Sequence, residues 1–294
     1  MLDRFIPVAL CTAVALAQSS ASLAQDAPPF AAFDLASEAF LNDPHDLDIG
    51  PDGLLYVADK FGNRITVLDP NTLELVRNIG EGALPGVHDI SFGPDGRAIA
   101  AITGRGLAAV ISDIQAETLE VDLAYSAPRT EGALAHSSGR FYVMASGIGV
   151  LAMFDDREMG ASASGHLGAH DVAEAPNGNI WVADNAQRRI VEYSMDLKRL
   201  RVIDDPKYGF VGPRYLDFDD FGRMLVADQD AHRVLLIDPG PEGQGRLLGV
   251  LGTGQPGLGP GLFDDPEGVV AWNNSYFISD SDNNRIVRYT IVIN

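Results

Sequence analysis

A stretch of about forty residues recurs six times along the chain, and this repetition limits the fold more than any other feature. One copy reads HDLDIGPDGLLYVADKFGNRITVLDP from His45, and the others open at His88, Glu131, His170, Arg214 and Glu267. Each copy resolves into short runs of alternating apolar and polar residues, separated in the first copy by Pro-Asp-Gly, Gly-Asn and Pro-Asn turns. No amphipathic helix of useful length interrupts them. A unit of this size with several short strands cannot bury its apolar faces alone, so such units stack around an axis. The pattern predicts an all-β, six-bladed β-propeller.

The sixth copy ends at RIVRYTIVIN, after its third strand. An orphan apolar segment, Phe30 to Phe40, precedes the first copy. Donated to the last blade, it would supply the missing outer strand and remove two exposed sheet edges. The ring is therefore expected to be closed by an N-terminal strand, with residues 25–294 forming one propeller domain.

Residues 1–24 read differently. Arg4 lies in a short polar start, an apolar stretch runs from Phe5 to Ala17, and Ser22 and Ala24 precede a cut before Gln25. This has the form of a secretory signal peptide, and its apolar stretch is too short to span a bilayer comfortably. The expectation is a periplasmic or secreted protein with no membrane insertion after cleavage. Cys11, the only cysteine, would leave with that leader. The mature protein then has no disulfide, no thiol nucleophile and no thiolate metal ligand.

Charge narrows the partners. With 41 Asp and Glu against 21 Lys and Arg, the net charge is −20. Such a surface repels phosphate backbones, which argues against nucleic-acid binding and favours small cations or basic partners.

The residues that open the first strands carry the main chemical signal. The first strands of a propeller surround a central channel and all begin near one face. Three of the six histidines outside the leader, His45, His88 and His170, stand at this one repeat position, beside Glu131, Arg214 and Glu267. Imidazoles and carboxylates converging on a channel mouth form a candidate divalent-metal site, with Zn²⁺ suited to the mixed donors and Ca²⁺ or Mn²⁺ to carboxylates with carbonyls. Asp46, Asp89 and Asp171 follow the histidines directly, and strand alternation turns them away from the axis. A water-filled rim with Arg214 paired to Glu131 or Glu267 is the alternative.

Four copies carry an Asp followed five residues later by an Arg: Asp59 and Arg64, Asp184 and Arg189, Asp228 and Arg233, Asp280 and Arg285. A feature repeated in four blades is read as architectural: a carboxylate that caps turn N–H groups and pairs with a guanidinium. The second and third copies lack the pair and carry glycine-rich turns, TGRGL from Thr103 and ASGIG from Ala145. The surface freed there is a place to look for function.

These copies, the sixth above all (GLFDDPEGVVAWNNSYFISDSDNNRIVRY), resemble the NHL-repeat family. That resemblance implies an NHL-type six-bladed propeller, a fold often used as a binding platform. The PHDL, VHDI and AHDV openings look like those of peptidyl-α-hydroxyglycine α-amidating lyases. In that family three histidines from alternate blades hold a catalytic zinc. Carried over, one alternate set here is His88, His170 and Glu267 and the other is His45, Glu131 and Arg214; the first would give a zinc shell with an open position for a reacting group. The match departs in three ways: one ligand is a glutamate, an extra histidine, His45, sits on a non-alternate blade, and the loops DKFGNR and DNAQRR have no counterpart of the family's catalytic tyrosine. The PEG opening at Glu267 is similar to the regucalcin and gluconolactonase group, which implies lactone hydrolysis.

The segment DDPKYGFVGPRY brings Lys207, Tyr208, Arg214 and Tyr215 near the fourth and fifth blades. Tyr208 is a candidate base, Arg214 a candidate substrate or anion clamp, and Glu131 a further acid–base group. Packing between blades is the competing role for both tyrosines. His136, His166 and His232 lie off the repeat position and read as surface or turn residues. No nucleophile elbow, HExxH, phosphate loop or dinucleotide fingerprint appears. The reading is a metal-dependent lyase or hydrolase with metal ligands His88, His170, Glu267 and His45, acting on a small-molecule substrate. The alternative is a non-catalytic scaffold for a protein or glycan partner.

Overall fold

The structure, a computed structural model, describes residues 29–116 and 119–292; the leader, residues 1–24, lies outside the described residues. Six four-stranded antiparallel sheets are arranged around an axis. Five of them use four strands consecutive in sequence, and the sixth is completed from the other end of the chain. Strand β1 (Ala31–Ala36) pairs antiparallel with β24 (Arg285–Ile291), aligning Ala31 with Ile291 and Ala36 with Val287. The expected closure by the N-terminal strand is what the chain adopts.

The core is divided into six wedges, each shared by two adjacent blades. Between blades one and two, Tyr56, Ala58 and Ile65 meet Ile90, Ala100 and Ile111. Between blades six and one, Val270, Phe277 and Ile286 meet Leu47, Leu55 and Val57. The alternation seen in sequence explains this division, because successive residues of a strand face opposite neighbours. Each fully buried side chain of this size contributes about 1.5–3 kcal/mol relative to exposure.

The repeated Asp–Arg pairs are architectural. Arg64 Nε donates to Asp59 at 2.8 Å, Arg189 to Asp184 at 2.8 Å, Arg233 to Asp228 at 2.9 Å and Arg285 to Asp280 at 2.8 Å. In three blades the other carboxylate oxygen accepts backbone N–H groups of the loop leading into the same blade: Asn42 on Asp59, Val211 and Gly212 on Asp228, Asp264 on Asp280. The pair thus ties a strand end to the incoming loop and satisfies amides that would otherwise be orphaned.

The six first strands are β2 (Pro44–Ile49), β6 (Val87–Phe92), β10 (Thr130–Ala135), β14 (Asp171–Glu174), β18 (Pro213–Phe218) and β22 (Pro266–Trp272). Each presents one edge to the channel, and on four of them a carboxylate from the preceding blade accepts a backbone N–H of that edge. Asp48 accepts from Phe92 N at 2.9 Å, Asp89 from Ala133 N at 3.0 Å, Asp171 from Leu216 N at 2.7 Å and Asp217 from Ala271 N at 2.8 Å.

Where aspartate is replaced by glycine, the blades approach closely. A Cβ on Gly132 would lie 2.4 Å from His170 O, and one on Gly268 would lie 2.4 Å from His45 O.

Candidate functional site at the channel mouth

In five blades the register shifts at the start of the first strand, between Pro44 and Leu47, Val87 and Asp89, Thr130 and Ala133, Pro213 and Tyr215, and Pro266 and Val269. This bulge is the device that builds the site. An extra residue there breaks strict alternation, so two successive side chains turn inward. His45, His88, Glu131, Arg214 and Glu267 sit at the bulges. With His170 they converge on one mouth, five of the six buried and Arg214 partly so. The expectation that Asp46, Asp89 and Asp171 face away from the axis is corrected, for Asp46 and Asp89 by these same bulges. They line the bore directly beneath the mouth, a cavity of about 210 Å³ shared with Asp48 and Asp217.

The mouth divides into two clusters. In the first, Glu131 Oε2 lies 3.0 Å from His88 Nε2 and 3.5 Å from His170 Nε2. Arg129 reaches the other carboxylate oxygen at 3.4 Å. Burial works against the Glu131 anion, but the neighbouring His88, His170 and Arg214 outweigh it and hold the carboxyl down to about 2. His170 is pushed well below the usual histidine range, first by burial and then by Arg214, so its imidazole is neutral at pH 7. His170 Nδ1 and Glu131 Oε2 are both buried without a hydrogen-bond partner.

The tautomer of His88 follows from its neighbours. Its Nδ1 lies 2.8 Å from Gly86 O and 2.9 Å from Thr103 Oγ1, whose own proton goes to Thr130 O. Both partners accept, so Nδ1 carries the proton and Nε2 faces Glu131. A nitrogen lone pair and a carboxylate oxygen 3.0 Å apart need a cation to hold them together, a proton or a metal ion.

In the second cluster, Glu267 contacts His45 Nδ1, with Arg214 Nε at 3.3 Å and Gln229 Nε2 at 2.9 Å. The other face of His45 meets Asp43 at 3.3 Å, and Asp43 in turn holds Lys60 at 2.9 Å. Burial opposes a charge on His45, yet Glu267 and Asp43 raise it above the ordinary imidazole value. Arg214 stays cationic through Glu267 and Glu131 despite its burial, and Gln229 accepts from it. The hydroxyl of Tyr215, fully buried, crosses the channel to donate to His88 O at 3.1 Å and lies 3.4 Å from His45 Nδ1.

The carboxylate beside His88 and His170 is thus Glu131, whereas Glu267 belongs to His45 and Arg214. Tyr208 does not join the mouth. Its ring packs in the wedge between blades four and five, and its hydroxyl donates to Gln244 O at 2.5 Å. Among the described residues, triads of ligand atoms mutually within 4.8 Å are Asp43, His45 and Glu267, and His232, Asp264 and Asp265. His45 spends a different ring nitrogen on each of its two carboxylates, the geometry of a charged clamp. Sequence reasoning missed Asp43, Thr103, Arg129 and Gln229. Asp43 had a signal: Asp-Pro precedes both His45 and Glu267, and Asp43 and Asp265 both take left-handed backbone, φ 61° and 50°.

Fold and mouth together define the class: a six-bladed β-propeller with imidazoles and carboxylates gathered at one end of its channel. The NHL repeat family matches residues 41–68, within the first blade. No curated protein matches the chain. Among solved structures it is similar to virginiamycin B lyase from Staphylococcus aureus, with 10% identity, 88% of this chain and 99% of that one covered, and a TM-score of 0.61. A histidine-to-alanine form of that lyase, solved with quinupristin, is catalytically inactive. The chain is also similar to the PQQ-bound aldose sugar dehydrogenase from Streptomyces coelicolor, at 14% identity, 90% and 100% coverage and a TM-score of 0.62. The Cps50 (Swd1) propeller domain of Myceliophteria thermophila gives 12%, 89% and 100%, and 0.63. At these identities the likeness is one of fold.

Proposed function

We propose that the protein is an exported, metal-dependent lyase or hydrolase acting on a small organic substrate at the channel mouth. The observation that carries this reading is the Glu131 carboxylate shared by two imidazole nitrogens, with the His88 proton already committed elsewhere. Two imidazoles and one carboxylate form a donor set suited to Zn²⁺, and the buried Glu131 Oε2 between His88 Nε2 and a neutral His170 fits such an ion. His88, His170 and Glu131 would hold it, and a bound divalent ion would supply Lewis acidity toward a carbonyl or a lowered water pKa.

The chain's own groups complete the site. His45, whose imidazole is raised above its ordinary value by Glu267 and Asp43 against its burial, is placed to deliver a proton to a leaving group. Arg214 presents a fixed positive charge to a developing anion, oriented by Glu267 and Gln229. Exposed Phe61, Ile148 and Leu167, on loops next to the mouth, offer an apolar rim for the rest of the substrate. The similar fold of a lyase that loses activity with one histidine supports elimination chemistry as the first class to assay. A panel of lactones, cyclic esters and α-hydroxy amides should reveal turnover that requires added divalent metal and disappears in the His88→Ala, His170→Ala double variant. Turnover that survives both substitutions would contradict the assignment.

A second reading has one observation in its favour. The Arg214–Glu267 pair closes part of the mouth with internal partners, as a passive scaffold would. A protein or glycan would then dock on the rim formed by Phe61, Ile148 and Leu167. Metal content separates the two.

A further inference from the structure

The second blade departs from its siblings in a way that opens a cavity. In blade five, Arg233 of the architectural pair reaches under the incoming loop and donates to Tyr208 O and Gly209 O, both at 2.8 Å. In blade two the paired positions are Ile102 and Leu107, matched across the strands as Asp228 and Arg233 are. No guanidinium enters the corresponding space. The cross-strand pair below it shrinks too: Ala109 faces Ala124, where blade five has Leu235 facing Val250. Together these changes leave a cavity of about 280 Å³ between Leu84 of the incoming loop and the second blade.

Among the described residues, ten line it: nine are apolar, and the tenth is Arg105, from the TGRGL turn. Arg105 is exposed and makes no hydrogen bond or ion pair among the described residues. An apolar chamber with one unengaged guanidinium at its edge is a recognition geometry. The walls take an apolar body, and the planar donor fork takes a carboxylate in bidentate fashion. At about 30 Å³ for each water-sized group, the chamber accommodates roughly nine such groups. That is too small for a peptide segment and suits a short chain or a single ring.

We propose that this cavity binds a small apolar monocarboxylate, with its tail between Leu84 and Ala109 and its carboxylate on Arg105. The site is separate from the channel mouth and does not depend on the catalytic reading. Calorimetric titration of the full mature protein with octanoate, and in parallel with 1-octanol, tests it. Octanoate should bind with one-to-one stoichiometry. Arg105→Gln should weaken octanoate at least tenfold and leave 1-octanol unchanged. Ala109→Leu should abolish binding of both by filling the chamber. Ala124→Val, which restores a residue blade five already tolerates, serves the same purpose if the leucine variant does not fold. No heat with millimolar octanoate, undiminished binding in the filled variants, or equal octanoate affinity in Arg105→Gln would each overturn the proposal.

Discussion

His88 Nε2 and Glu131 Oε2 meet at 3.0 Å across the boundary between the second and third blades. The His88 proton is anchored to Gly86 O on the opposite ring nitrogen, so this contact defines where a cation belongs.

The first prediction separates the two glutamates of the mouth. Glu131→Gln should lower divalent-metal affinity at least 100-fold, measured by competition with a chelating dye. Glu267→Gln, which alters the His45 and Arg214 cluster, should change it by only a few fold. Equal losses in both variants would show that the two clusters act as one site.

A second prediction concerns pH and stability. Burial raises Asp48 to about 7 and Asp217 to about 6, with repulsion from Asp217 adding to the first and from Asp219 and Asp220 to the second, although each accepts backbone N–H bonds that work the other way. Between the unfolded carboxylate value near 4 and these raised values, the folded state holds protons that the unfolded state has released. Stability therefore falls as pH rises through this window, at about 1.4 kcal/mol per group for each pH unit. Thermal midpoints should drop from pH 5 to pH 8, and Asp48→Asn with Asp217→Asn should flatten that slope. Asparagine keeps the acceptor for Phe92 and Ala271, so the interblade bonds persist. A midpoint that rises over this range in the native protein would contradict the assignment.

A third prediction tests the close approach of the blades. Gly132→Ala would place a methyl 2.4 Å from His170 O, which moves only if the inner strands separate. Overpacking of this kind costs about 1–3 kcal/mol. The variant should lose that much in denaturant unfolding, whereas alanine at Gly139, with open space around its Cβ, should lose only what its left-handed φ of 86° imposes.

The fourth concerns Tyr215. Tyr215→Phe removes the hydroxyl that donates to His88 O while the ring stays in place. A buried hydrogen bond of this sort contributes about 0.5–1.5 kcal/mol net, and the unpaired carbonyl adds to the loss. Chemical denaturation should show a loss of this size, with metal affinity retained.

The fold was legible because it is written six times. The repeat gave the blades, and the orphan Phe30–Phe40 segment gave the closing strand. The set of channel residues was also legible, since His45, His88 and His170 share one repeat position. Which of them touch was not. Grouping His88 and His170 with Glu267 assumed regular strands and blade alternation, whereas each bulge rotates its residue by an amount that sequence spacing does not encode. The same bulges brought Asp46 and Asp89 into the bore. Tyr208 and Tyr215 show the other limit: seven residues apart in one segment, one is locked in a wedge and the other spans the channel.

The most direct test of the central claim is elemental analysis of the mature protein purified without chelator or histidine tag. The account predicts one divalent ion per chain, lost in the His88→Ala, His170→Ala variant while the β-sheet circular dichroism is unchanged. A native protein that is metal-free, and stays so after incubation with Zn²⁺, Ca²⁺ and Mn²⁺, would contradict it and leave the mouth as the rim of a scaffold.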